Sequence, residues 1–262
     1  MKCKQCGYEI ERKEIEDYID VDWCGQCGEF VKTGMKLSII IPIYNEESTI
    51  KELIRRIKRV KFPIEYEIVA VDDESTDSTA EILKKIKGIK TIFLNKNNLG
   101  KGKGRAVMQG LLNSTGNIFA IQDADLEYSP ENLPKVIKPI LQKKTDVVYG
   151  TRLFLDNKWS IPLHYIGNKF LTFMANLKYG YSLTDIETGC KCFNDRTKTS
   201  LNIPHSDFRF EIDFLDNCWK NNLNILEMPI SYNPRKKENG KKINWFDGVK
   251  AFVLLMKRKK AL

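Results

Sequence analysis

The chain has 262 residues, 42% of them apolar and 29% charged, and a formal net charge of +9. That length supports one large core, or one core plus a small appendage, and the composition excludes a chain disordered throughout. The positive balance points to an anionic partner: nucleic acid, a phosphorylated substrate or acidic lipid.

The charge is unevenly placed, with a net −3 over residues 1–34 and +8 over residues 235–262. Met1 is followed by polar residues, unlike a secretory signal, and no uncharged apolar run approaches the ~20 residues of a membrane span. Those two features predict a cytoplasmic protein. Seven cysteines in such a protein point to metal ligands or free thiols rather than disulfides.

In chain order, the first feature is a pair of C-x2-C knuckles, Cys3/Cys6 and Cys24/Cys27, each followed by glycine. Four thiolates at this spacing predict a tetrahedral structural Zn²⁺ in a small ribbon. The same ligands suit an iron centre, and a single pair suits a redox dithiol. VKTG (31–34) reads as a linker. LSIIIPIY (37–44) is a β-branched run too short for a helix and predicts a buried strand, after which Asn45 is placed to cap a helix through residues 50–60.

EIVAVDDES (67–75) predicts a second strand ending in acids, with a helix from Ser78 to Ile86. KTIFLN (90–95), GNIFAIQD (116–123) and DVVYG (146–150) predict further strands, with a glycine-rich helix entry at 100–112. Strands alternating with helices over short connections predict a parallel α/β sheet, helices on both faces, with ligands at the carboxyl ends of the strands. Beyond Gly150 the sequence predicts helices over 160–180, 209–220 and 243–260 and a strand over 224–233.

Three stretches carry chemistry. In IQDADLEYSP (121–130), Asp123, Asp125 and Glu127 alternate, so in extended chain they share one face. Crowded carboxylates repel, and a hard divalent cation, Mg²⁺ or Mn²⁺, relieves that repulsion. A solvated loop carries the same D-x-D pattern. In VDDESTDST (71–79), Asp72 and Asp73 suit nucleotide recognition, a phospho-acceptor site of a signalling receiver, or simple helix capping. A receiver domain accounts for only half the chain. In NNLGKGKGRAVMQG (97–110), the glycine amides, Gly102 among them, and the cations Lys101, Lys103 and Arg105 can meet phosphate oxygens at a helix start, although the P-loop spacing is absent.

Together IPIYNEE (41–47), VDDESTDST, NLGKGKG (98–104), IQDADLEYSPE and YGTR (149–152) resemble, in order and spacing, family 2 glycosyltransferases with a GT-A fold. LTDIETGCKCF (183–193), FRFEIDF (208–214) and EMPISYNPRKKENGKKINWFDGVKA (227–251) look like the dolichyl-phosphate (polyprenyl-phosphate) mannosyl- and glucosyltransferase branch. The resemblance covers roughly residues 36–258 and implies a Rossmann-like, mostly parallel sheet. It leaves three segments: a zinc ribbon with linker (1–34), a GT-A domain (35–242) and a C-terminal amphipathic basic helix (243–262).

By the same resemblance, Pro42, Tyr44, Asn45, Glu46, Asp72 and Asp73 lie around the donor nucleotide. Asp123 and Asp125 match the metal motif, with Glu127 as its third ligand. Arg152, Lys169 and Arg235 match basic positions near phosphates. Glu74 departs from the usual glycine, Cys190 stands where relatives often carry tyrosine, and His164 and Lys169 occupy a region richer in arginine in some relatives.

The activity implied is inverting transfer of a sugar, mannose or glucose, from a nucleotide-diphosphate sugar to polyprenyl phosphate. A phosphate acceptor is already ionised and needs no base. A hydroxyl acceptor on a glycan, lipid or protein needs one, for which Asp185 and Glu187 are the candidates. Residues 243–260 place aromatic and aliphatic groups beside a lysine-rich end, so the helix suits either core packing or the inner membrane face. The ribbon offers a surface for a protein partner. A zinc-ribbon nucleic-acid-binding protein is the reading from another class, but the ribbon is net acidic and the basic tail lacks interleaved aromatics.

Overall fold

In the computed structural model, the described residues are 22–23, 30–31, 34–95, 102–153, 162–235 and 245–257. A two-residue pairing joins β1 (Asp22–Trp23) to β2 (Phe30–Val31). Cys3, Cys6, Cys24 and Cys27 lie outside the described residues, as do Lys101 and the 236–244 stretch.

The body of the protein is a seven-stranded sheet built from β3 (Lys36–Ile43), β4 (Glu65–Asp72), β5 (Lys90–Phe93), β6 (Ile118–Ile121), β7 (Val147–Thr151), β8 (Lys191–Asn194) and β9 (Ile225–Pro229), in the order β5-β4-β3-β6-β8-β7-β9. All pairings are parallel except those of β8, which runs antiparallel to both β6 and β7. The mostly parallel sheet agrees with the sequence expectation, and β8 is the addition to it.

Alternation along the strands divides two cores. Leu37, Ile39, Ile41 and Ile43 face one side with Ile68, Ala70, Ile118 and Ala120. They pack under α1 (Ile50–Ile57), α2 (Thr79–Lys85) and α4 (Leu133–Leu141). Ile40, Val69, Val71, Phe119, Ile121 and Tyr149 face the other side, covered by α3 (Lys103–Leu112), α5 (Pro162–Tyr179), α7 (Phe210–Lys220) and α8 (Trp245–Lys257). Each fully buried isoleucine removes enough apolar area to contribute about 2 kcal/mol. A short helix, α6 (Asp195–Ser200), follows β8 and is capped by Asn194, whose side chain accepts from the Thr197 N–H.

Ala251 and Leu255 tie α8 into the second core, so this helix shares the body of the protein. Its other side leaves Val249, Val253 and Met256 exposed. Alongside it, α5 leaves Ile166, Phe170, Phe173 and Leu177 each more than half exposed, at spacings that line one helical stripe. The Phe170 and Phe252 rings meet at 5.5 Å between the two helices. No helix among the described residues is long and apolar enough to cross a membrane.

Asn45 does not cap α1. It adopts a left-handed conformation (φ 50°), and the N-terminal flanking residue of α1 is Thr49. The Asn45 amide instead spans two loops: its Oδ1 accepts from the Thr76 N–H at 2.7 Å and its Nδ2 donates to Thr76 Oγ1 at 3.1 Å. Glu74, where glycine is usual, also stands at positive φ (62°). A left-handed non-glycine residue costs about 1–2 kcal/mol, and the Arg105 guanidinium bonded to Glu74 Oε1 at 3.1 Å offsets part of that.

Candidate active site

The carboxyl ends of β3, β4 and β6 bring together the acids that the sequence singled out. At the end of β3, Tyr44 is exposed and Glu46 is buried. Pro42 lies within the strand, paired with Val71. Glu46 is fixed through its N–H, which donates to Thr79 Oγ1 at 2.8 Å, and through its carboxylate, which accepts from Thr49 Oγ1 at 2.7 Å.

At the end of β4, Asp72 accepts from Ser75 Oγ at 2.5 Å, and Asp73 accepts from the Gly102 N–H at 2.6 Å. Burial raises Asp72 above the usual carboxylate range despite the Ser75 hydrogen bonds. A cleft of about 600 Å³ opens beside them, lined by Asp72, Glu74, Ser75, Thr76, Lys84 and Phe93 among others.

After β6 the chain turns rather than continuing extended, so Asp123, Asp125 and Glu127 do not share a strand face as their spacing suggested. The turn arises because Leu126 is left-handed (φ 62°) and the Glu127 N–H bonds back to Asp125 Oδ1 at 3.1 Å. Asp123 therefore meets one cation, while Asp125 and Glu127 share Arg235. Asp123 pairs with Lys103 at 2.9 Å. Asp125 pairs with Arg235 Nη2 at 2.8 Å, and Arg235 Nη1 reaches Glu46 at 3.2 Å. Both Glu127 oxygens accept, one from the Tyr232 hydroxyl at 2.6 Å and one from the Arg235 N–H at 3.0 Å.

Electrostatics follow from this crowding. Burial first, then the Asp123 and Glu127 charges, push Asp125 up to about 7. Burial lowers Lys103, but the facing Asp123 and Glu211 carboxylates outweigh it and hold the ammonium above the ordinary lysine value. Among the described residues no three acids, histidines or cysteines are grouped as a ready metal site. Asp123 and Asp125 nonetheless fit a divalent cation. They supply two hard oxygen donors whose side chains keep about a fifth of their surface open, and salt-bridged cations hold them. Both Glu127 oxygens are engaged, as are those of Asp123 and Asp125, and the Glu127 side chain is the most buried of the three, at 10% exposure.

A second cluster lies at the end of β7. Asp185 is fully buried and grips Arg152 bidentately, at 2.6 Å to Nε and 2.7 Å to Nη2. It also accepts from Asn168 Nδ2 of α5 at 2.8 Å. Burial alone would raise Asp185, and the Arg152 guanidinium overrides that and holds it below the usual range. A carboxylate so held orients an arginine and is a poor proton acceptor. Glu187 is the contrast: its Oε1 is buried without a hydrogen-bond partner, and burial, then the Glu211 charge, push it up to about 7.

Arg152 further stacks over Tyr232, 5.2 Å from the ring centre. Lys169, one residue along α5 from Asn168, lies 5.9 Å from the Tyr165 ring centre. Residues that sequence reading passed over include Asn168, Tyr232, Lys191 and Glu211. The last lies in the quoted FRFEIDF stretch, and only its acidic type among aromatics marked it.

Comparison with known proteins bears on the family and the fold. Residues 38–197 match the model of glycosyl transferase family 2. The chain is 37% identical over 118 residues to a dolichol-phosphate mannosyltransferase of Pyrococcus furiosus, covering 45% of this chain and 33% of that one, so it spans about a third of that relative's length. It is 30% identical over 246 residues to a UDP-N-acetylglucosamine–dolichyl-phosphate N-acetylglucosaminyltransferase of Methanococcus voltae, covering 86% of this chain and 97% of that one. Among solved structures, glucosyl-3-phosphoglycerate synthase of Mycobacterium tuberculosis, in complex with Mn²⁺, uridine diphosphate and glucosyl-3-phosphoglycerate, superposes with a TM-score of 0.67 at 20% identity, covering 85% of this chain and 79% of that one.

The fold is a mostly parallel α/β sheet with acids gathered at the carboxyl ends of its strands. The chain belongs to glycosyl transferase family 2.

Proposed function

We propose that the protein transfers a hexose, mannose or glucose, from a nucleotide-diphosphate sugar to a polyprenyl phosphate, inverting the anomeric centre. The observation that carries this reading is the Arg152–Asp185–Asn168 cluster. It holds a guanidinium rigidly at the base of α5, whose outer face is an exposed apolar stripe. A fixed arginine suits a phosphate head, and the apolar stripe, on the opposite side of α5 from Asn168, suits the surface on which a prenyl chain is carried. The names of the Pyrococcus and Methanococcus relatives, both acting on a dolichyl phosphate, support the same acceptor class.

In this reading the nucleoside occupies the cleft beside Asp72, Asp73 and Tyr44. Asp123 and Asp125 hold Mg²⁺ or Mn²⁺, which when bound supplies positive charge to the leaving diphosphate. The Mycobacterium neighbour, with Mn²⁺ and uridine diphosphate, supports the metal and the donor class. Lys103 and Arg235 add cations there, and Lys101 is assigned to the donor by its motif alone, while Arg152, with Lys169 nearby, receives the acceptor phosphate. Placement on the inner membrane face rests on the apolar stripes of α5 and α8 and on Lys250 and Lys257 beside the latter. The Zn²⁺ ribbon of Cys3, Cys6, Cys24 and Cys27, with its protein partner, rests on spacing.

A second reading, transfer to a hydroxyl, is favoured by one feature: Glu187 is poised near neutral pH with an unpartnered oxygen. Incubating the protein with polyprenyl phosphate and a panel of radiolabelled GDP- and UDP-sugars, with and without Mn²⁺, separates the two. The proposal expects Mn²⁺-dependent label in the lipid phase from one donor. Transfer only to glycan hydroxyls, abolished by Glu187→Gln, would favour the second reading.

A further inference from the structure

Lys191 is fully buried, yet none of the roles assigned above uses it. A lysine ammonium inside a core is strongly disfavoured unless it is paired and hydrogen-bonded. The register of β8 sets Lys191 between Ile121 of β6 and Tyr149 of β7, directly behind the turn that carries Asp123. Its ammonium donates to the Thr188 carbonyl and to Glu211, and lies 4.6 Å from the Tyr149 ring centre. Lys191 thus ties the 186–188 backbone to the first turn of α7.

The other oxygen of Glu211 is 3.0 Å from Lys103, whose ammonium is 2.9 Å from Asp123. Charges alternate along this chain, from solvent-reachable Asp123 through Lys103 and Glu211 to buried Lys191. The glycines around Lys103 explain why these groups meet. A β-carbon at Gly102 would sit 2.8 Å from the Ser206 carbonyl oxygen, and one at Gly104 would collide with the His205 carbonyl. The Arg105 N–H donates to Ser206 at 3.1 Å. The start of α3 is therefore seated on residues 205–207, and Lys103 and Glu211 project from abutting helix starts.

We propose that Lys191 and Glu211 are a positioning pair for Lys103: Lys191 fixes Glu211, and Glu211 retains Lys103 beside the donor diphosphate when a divalent cation takes Asp123 from it. This rests on the donor and metal reading of the site given above. With Asp123 bound to a metal, Lys103 loses one acceptor and gains a repelling neighbour. A flexible ammonium would then swing to water unless a second carboxylate held it. Glu211 is that carboxylate, and Lys191 compensates its burial.

The test compares Glu211→Gln, Lys191→Met, the double variant and Glu211→Asp, reading thermal midpoint, Mn²⁺ affinity by electron paramagnetic resonance, and calorimetric affinity for whichever of UDP and GDP the wild-type protein binds with Mn²⁺. Glu211→Gln leaves Lys191 a lone buried charge and Lys191→Met leaves buried Glu211 with Lys103 alone; each lowers the midpoint, while the double variant removes both charges and recovers it. A purely structural pair predicts that nucleotide affinity recovers as well. The proposal predicts that it stays about tenfold weaker, as it does in Glu211→Asp, which keeps the Lys191 pairing but shortens the reach to Lys103. Wild-type nucleotide affinity in the double variant, or in Glu211→Asp should the double variant not fold, overturns the positioning role. Asp125→Asn is the control for the underlying reading: if it keeps Mn²⁺-dependent nucleotide binding, the metal site itself is wrong. If it loses that binding while the pair variants keep theirs, the positioning role alone is wrong.

Discussion

Gly189 shows how tightly single residues constrain the acids of this site. A β-carbon there would stand 2.8 Å from Asp123 Cγ, closer still to its Oδ2, and 2.9 Å from a Tyr128 ring carbon. Gly189→Ala must turn Asp123 away from its place, with an overpacking cost of about 1–3 kcal/mol. The expected result is an Mn²⁺ affinity at least about tenfold weaker in a folded protein, read by electron paramagnetic resonance. Unchanged Mn²⁺ binding would remove Asp123 from the metal site.

Glu67 offers a test away from the site. Burial alone would raise it, but hydrogen bonds from Ser38, the Thr115 N–H and Lys36 hold it at about 2, against an ordinary 4.5. A depressed folded-state value gives stability that is complete above the unfolded value and lost as pH falls through the folded one. Glu67→Gln should therefore lose on the order of 2 kcal/mol at neutral pH. The gap from wild type should close as pH falls from about 4.5 to about 2. Urea midpoints across that range check the sign, and a gap independent of pH would contradict it.

At this scale the sequence made Asp123 and Asp125 legible because acids at a strand end have few structural uses. It could not reveal that Asp185 serves Arg152, or that Glu127 bonds Tyr232. Those pairings span 33 and 105 residues and depend on how β7, β9 and the loops meet.

Among the elements, the strands of the first half follow their β-branched runs closely, and β8 and α4 are the instructive omissions. Four residues, KCFN, are too few for a period to show, and the direction of β8 is set by its neighbours rather than by its own residues. Pro134 and Pro139 discourage a helix reading of LPKVIKPIL, yet Pro134 falls in the first turn, where no N–H is needed. Pro139 lies inside the helix, and tertiary burial of Val136, Ile137 and Ile140 overrides its missing donor.

The last helix answers a question that its sequence left open, since one side of α8 packs in the core and another is exposed. From the stripes of α5 and α8 we expect Phe173→Glu and Val253→Glu to reduce sedimentation with anionic liposomes several-fold while leaving the thermal midpoint unchanged, because both side chains are exposed. Equal sedimentation of variants and wild type would show that these stripes do not meet the bilayer.

For the whole molecule, the sheet gathers the acids proposed to serve the donor from the ends of β3, β4 and β6. The cluster of Arg152, Asp185 and Asn168 proposed to serve the acceptor lies beyond the end of β7, against α5. Family membership was readable because eight motifs fall in register along one chain. The acceptor is less so, because it depends on a helix face that the motifs do not include.

The most direct test of the account offers polyprenyl phosphate and the matching polyprenol to wild-type protein and to Asp125→Asn, with Mn²⁺ and the labelled donor that the wild type uses. The account predicts transfer to the phosphate alone, reduced about a hundredfold or more in Asp125→Asn. Comparable transfer to the alcohol, or undiminished turnover in the variant, would contradict it.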